Sequence, residues 1–160
     1  MRQITPEPLT AAAFAPYGDV VEASPAEAQR LINEGHTTRF HDLADVTAAG
    51  RLTVNIFRSE ARDLPVTLHQ MERHPRACQM FMPLSGHPYL VVVAPKGDFD
   101  GDKVRAFLAG PEQGVNYHAG TWHHYSLALI GQSDFLVLDY ADMEDNCDIA
   151  DLSDPIEITA

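Results

Sequence analysis

The chain has 160 residues, with 11 Lys+Arg against 23 Asp+Glu and a formal net charge of −12. That length fits one domain, expected over residues 1–160, with room for a core that needs no staples. The acidic balance excludes nucleic acid and an anionic membrane surface as natural partners, because both are held by basic patches.

The opening "MRQITPEPLT" has no apolar run and does not read as a secretory signal, and no segment is long and apolar enough to span a bilayer. Next comes "TAAAFAPYG", which predicts a short helical turn ended by Pro16 and Gly18. "SPAEAQRLINEG" then predicts a helix over 24–35. Ser24 is placed as N-cap, Pro25 as first helical residue, Glu27 as the partner in a capping box and Gly35 as the stop. Beyond Gly35 almost everything reads as short strands between Pro, Gly and Asp clusters. "RLTVNIFR" alternates Leu52, Val54 and Ile56 against Thr53, Asn55 and Phe57. "PVTLHQME", "QMFMP", "YLVVVAP", "VRAFLA", "GVNYH", "HHYSLALI" and "DFLVLDY" follow in turn. Many strands with little helix, and no crossover helices, predict an all-β double-sheet jelly roll with one or two short helices near the N-terminus. Cys78 and Cys147 fit no disulfide or ligand spacing and read as reduced thiols of a cytoplasmic protein.

Strand parity sorts the candidate chemistry. Alternation puts Val66, Leu68, Gln70, Glu72 and His74 on one face, with His69 and Arg73 on the other unless a bulge intervenes, and sets Gln79, Phe81 and Pro83 on one face of the next strand. If the apolar halves point inward, Glu72, His74 and Gln79 converge at one barrel mouth. The stretch from His74 through Gln79 to Gly86 has the spacing of the first cupin metal motif, with glutamine where glutamate is usual; "GTWHH" supplies His123 at the spacing of the second. Of His123 and His124, adjacent on a strand, the spacing selects His123 for the interior. Arg58 ends the Leu52–Val54–Ile56 face, where its planar fork could hold a carboxylate. His36, His41, His69 and His87 have no partner at ligand spacing.

Plainer readings stand beside these. The cupin-like spacing arises in jelly rolls that bind no metal, and an amide is a weak ligand. His123 could be a hydrogen-bonded strand histidine, Arg58 a surface ion pair, and Tyr117 with Trp122 simple packing.

The segments "AFAPYGDVVE", "TTRFHDLA", "ERHPRACQMFMPLSG", "EQGVNYHAGTWHH", "FLVLDY" and "DNCD", in this order from about Leu9 to Asp148, resemble the ureidoglycolate lyase family, also known as ureidoglycolate hydrolase. The resemblance implies a cupin-type barrel, usually a homodimer, that splits ureidoglycolate into glyoxylate and urea in allantoin breakdown. It makes Gln79 a family trait, and it implies a divalent metal, nickel among those used, or none. The expected catalytic residues are Glu72, His74 and His123, with Glu72 or His123 as base; His74, His123, Glu72 and Gln79 are the ligand set if a metal binds. Arg58, Gln79, His118, Tyr117 and Trp122 are the expected substrate contacts. Tyr125 departs from the family, which has proline after "WHH". A metal-dependent oxygenase or isomerase, or a non-catalytic cupin that binds a small acid, are the alternatives.

Overall fold

The computed structural model describes residues 1–142 and 146–160. Strands β1 (Arg2–Ile4) and β2 (Glu7–Pro8) precede one helical turn, α1 (Ala11–Phe14), capped by the Thr10 hydroxyl, which accepts from the Ala13 N–H at 3.2 Å. Then come β3 (Gly18–Val21), β4 (Gln29–Ile32), β5 (Thr37–Phe40), β6 (Leu52–Ser59), β7 (Val66–Arg73) and β8 (Gln79–Pro83). The remaining strands are β9 (Tyr89–Ala94), β10 (Arg105–Ala109), β11 (Gly114–Tyr117), β12 (Trp122–His123), β13 (Leu127–Ala128), β14 (Ser133–Tyr140) and β15 (Asp148–Ile158).

One sheet runs β1-β15-β7-β12-β9-β10-β2, with β13 also on β9; the other runs β3-β11-β8-β14-β6. This is the all-β double-sheet jelly roll the strand pattern predicts. Its centre is β9, whose unbroken apolar run is buried on both faces. Tyr89, Val91 and Val93 join Phe81, Phe107, Val115, Tyr117, Phe135 and Val137 in the core between the sheets. Leu90, Val92 and Ala94 turn the other way, into a second cluster where Val66, Leu68, Ile156 and Ile158 close over them. Backbones approach most closely around β11: a Cβ at Gly18 would overlap the Asn116 carbonyl, and one at Gly114 would meet the Phe81 carbonyl at 2.6 Å. Small residues there let β11 lie flat between β3 and β8.

Two sequence expectations need correction. Residues 24–35 do not form an α-helix. Pro25 is extended (ψ 121°), Ala26–Ala28 makes one 3-10 turn, and β4 pairs with β5 as a hairpin whose bend holds Asn33, Glu34 and Gly35 at φ 52°, 57° and 91°. The caps suit a helix, but Leu31 is 70% exposed, so no buried face holds one.

The second correction concerns β7. Val66 and Leu68 pack in the outer cluster together with Met71, three residues further on, which strict alternation forbids. The face switches at His69 and Gln70, opposite the point where β15 slips register between Asp151 and Ile156. Val66 and Leu68 therefore do not share a face with Glu72 and His74. The bulge leaves Met71 outside and turns Glu72 in.

Candidate active site

His123 stands directly opposite Glu72 on β7 and Val93 on β9 in the ladder. Val93 points into the core between the sheets, so His123 does as well, with its Nε2 3.6 Å from a Glu72 carboxylate oxygen. The ring of Tyr117, from β11, lies flat on His123 with centroids 4.4 Å apart and planes 8° from parallel. His74 follows the end of β7, and its ring centroid is 4.9 Å from that of His123.

Both imidazoles are oriented by main chain. Nδ1 of His74 lies 2.7 Å from the Asn146 carbonyl, and Nδ1 of His123 lies 3.0 Å from the Thr121 carbonyl. A carbonyl only accepts, so each ring donates through Nδ1, and Nε2 is left for something else. Among the described residues five buried side-chain polar atoms lack a partner, and three belong here: Nε2 of His74, Nε2 of His123 and Oε1 of Gln79. Folded proteins seldom leave such atoms bare, so their concentration in one place marks a ligand site.

Electrostatics separates the roles. Burial, with the nearby His74 adding to it, pushes the His123 imidazole down to about 3, so this ring is neutral at any ordinary pH. Burial pushes the Glu72 carboxyl up from its usual value; His74 opposes that and the Asp139 charge reinforces it. Glu72 is the accessible member, its side chain 31% exposed above two almost fully covered rings. Gln79 is buried beside them and donates from Nε2 to Asp139 at 3.1 Å.

The structure gathers Glu72, His74, Gln79, Tyr117 and His123. It does not bring Arg58, Trp122 or His118 to them. The Leu52–Arg58 face turns outward, with Val54 71% and Ile56 56% exposed, and Arg58 forms a bidentate pair with Asp134 at 2.7 and 2.8 Å. Trp122 alternates away from His123 into the outer cluster, where it donates to the Gly97 carbonyl and lies beneath the Arg73 guanidinium. His118, one residue past Tyr117, reaches Asp19 at 2.9 Å.

Three neighbours are absent from the sequence expectations. Asn146 supplies the carbonyl for His74, and its side-chain oxygen accepts from the Arg76 N–H at 2.6 Å. The Cys147 thiol approaches Glu72 at 3.9 Å. Asp139 has a legible signal, since Phe135, Val137 and Asp139 alternate inward along β14.

One nitrogen from each imidazole and a Glu72 oxygen lie within 4.8 Å of one another. Two rings held by backbone carbonyls plus one carboxylate form a donor set that fits a divalent ion, and the bare Nε2 atoms are the observation that favours one.

A jelly roll that holds two oriented imidazoles, an elevated carboxylate and an amide in its interior defines a small-molecule enzyme of the cupin type. The ureidoglycolate lyase family model matches residues 1–159, and the chain belongs to that family. Its relatives named ureidoglycolate lyase include one from Brucella ovis, 53% identical over 89% of this chain and 86% of its own. Another, from Burkholderia mallei, is 52% identical over 87% and 83%. A third, from Pseudomonas syringae pv. syringae, is 47% identical over 92% and 89%. Among solved structures RmlC from Streptococcus suis in complex with dTDP-D-xylose aligns with a TM-score of 0.45 at 13% identity, covering 59% of this chain and 47% of that one. Tyr125, the departure from the family pattern, is half exposed, packs at a tilt against the His124 ring and accepts from Arg62 at 3.0 Å. Asp145 of "DNCD" lies outside the described residues.

Proposed function

We propose that this chain cleaves ureidoglycolate to glyoxylate and urea at the Glu72–His74–His123 cluster. The observation that carries the reading is the set of three bare, buried polar atoms beside an elevated carboxyl in a chain of this family.

The substrate is a carbinolamide, so the reaction needs a proton taken from the hydroxyl and one given to the leaving nitrogen. Glu72 suits both halves. Its raised pKa makes it a stronger base than an ordinary carboxylate, and one carboxyl can accept the O–H proton and return it to nitrogen as the C–N bond breaks. The C–N pair leaves on the urea nitrogen while the C–O bond becomes the aldehyde. His123, held neutral, is the poorer base and serves through its Nε2 lone pair. His74, His123 and one oxygen of Glu72 would hold a divalent ion, nickel being favoured by the family resemblance, with the second Glu72 oxygen left to carry the proton. When bound, that ion supplies Lewis acidity toward the carbinol oxygen and charge for the carboxylate. Gln79 faces the ureido end, and Tyr117 fixes the plane of His123.

The protein is further proposed to be a cytoplasmic homodimer. β6 is the long outer edge of its sheet, with Val54 and Ile56 turned to solvent, and edge pairing across a two-fold axis covers both. No helix among the described residues is long and apolar enough to cross a membrane.

Incubation with ureidoglycolate and separate assays of urea, ammonia and glyoxylate test the reaction. Equal urea and glyoxylate are expected. Ammonia as the first nitrogen product would mean amide hydrolysis and would overturn the proposal.

A further inference from the structure

Gln79 and Asp139 are each only 3% exposed, on neighbouring strands of the second sheet. Both carboxylate oxygens of Asp139 are engaged: Oδ1 accepts from the Tyr140 N–H at 2.8 Å and Oδ2 from the Gln79 amide at 3.1 Å. An ionised carboxylate only accepts, so it fixes which end of the amide it meets. Flipping the amide would press Gln79 Oε1 against Asp139 Oδ2, acceptor against acceptor, in a buried place. The NH₂ end is therefore tied back, and Oε1 is left buried without a partner. Gln79 pairs with Tyr117 across the ladder, and Tyr117 stacks on His123, so this amide is next to the cluster.

We propose that Asp139 is a positioning residue: it turns the Gln79 carbonyl toward the site, where that carbonyl accepts an N–H from the terminal amine of the ureido group. This rests on the ureidoglycolate reading above and adds the source of specificity to it. A carbinolamide carrying a methyl group where ureidoglycolate carries its terminal amine leaves the Gln79 carbonyl unpaired in a dry site. Sites built around a buried polar partner discriminate strongly against such analogues.

The test compares kcat/KM for ureidoglycolate with that for N-acetyl-2-hydroxyglycine. The wild type is expected to prefer ureidoglycolate. In Asp139→Asn the neighbour offers both a donor and an acceptor, so the Gln79 amide is free to flip. The preference should drop about tenfold, mostly through a higher KM for ureidoglycolate, the scale of one lost hydrogen bond. Exchanging the pair, Gln79→Glu with Asp139→Asn, lets the new amide at 139 donate to one carboxylate oxygen at 79 and leaves the other as a free acceptor, and should return the preference to near the wild-type ratio. That variant keeps the buried hydrogen bond and decides the matter if Asp139→Asn alone fails to fold. An unchanged preference in folded Asp139→Asn, or its collapse in the exchanged pair, would overturn the proposal, because a purely structural bond moves the melting temperature and leaves the ratio alone. A wild type that releases no urea sinks the underlying reaction instead, and that is seen before any variant is made.

Discussion

Two antiparallel ladders each set a carboxylate directly opposite a nitrogen base: Glu72 faces His123 across β7 and β12, and Asp134 faces Arg58 across β14 and β6. The outer pair has the better geometry, with two contacts at 2.7 and 2.8 Å against a single 3.6 Å approach for the inner one. Yet the Arg58 side chain is 62% exposed, while that of His123 is 2% exposed. Water competes for every contact of the outer pair, and each partner satisfies the other. The inner pair is incomplete: His123 keeps a bare Nε2, and burial raises the Glu72 carboxyl. A short ion pair marks a finished interaction, whereas a long, buried and incomplete one marks a place prepared for a third party.

The largest effect that can break this contrast is on catalysis. Glu72→Gln keeps the shape and removes the proton carrier, so kcat/KM for ureidoglycolate should drop by about 10²–10⁴-fold while the protein stays folded. Near-normal turnover in that variant would give the base to another group.

Acid stability comes next. The native His123 ring titrates at about 3, against 6.5 for a free imidazole, so below 6.5 the unfolded chain takes up a proton that the native ring refuses. Stability should be steady above that pH and then decline on acidification, by up to about 1.4 kcal/mol per pH unit for one proton. His124, also pushed down by burial, adds in the same sense. Glu72 acts oppositely, because its raised native pKa favours the folded form as pH falls through that value. Thermal melts between pH 7 and 4 should therefore be flatter in His123→Gln and steeper in Glu72→Gln. Parallel curves for all three proteins would mean that His123 is hydrated and outside the core.

The smallest effect belongs to the outer pair. Arg58→Ala should leave kinetics and melting close to those of the wild type, as exposed pairs do. A marked rise in KM would return Arg58 to the substrate and undo the comparison.

The strands were legible because alternation and turn residues act locally; the cupin-like spacing picked out His123, while the alternation that grouped Glu72 with His74 holds only past the face switch in β7. What stayed hidden was decided by distant partners. The bulge that turns Glu72 inward lies opposite a slip in β15, so nothing within "VTLHQMER" announces it. Arg58 and Asp139 carry the same local sign, a charge ending an apolar alternating row. The row of Val54 and Ile56 proved to face solvent, and that of Phe135 and Val137 the core. Sequence shows that a row has two faces; only the layer packed against it says which one is inside. The failed helix teaches the same: caps mark where a helix can start, and burial decides whether it does.

The tie between His74 and the Asn146 carbonyl spans 72 residues. Glu72 and His123 meet only once β7, β12 and β9 are zipped together. Such non-local closures come with the assembled barrel and not before, so the constellation is absent from a partly folded chain. Anything that binds there is thereby coupled to the folding equilibrium of the whole domain. A ligand at a hundred times its dissociation constant deepens the native well by about 2.7 kcal/mol, however small its footprint. Substrate supply would then govern how long each copy survives proteolysis as well as how fast it turns over.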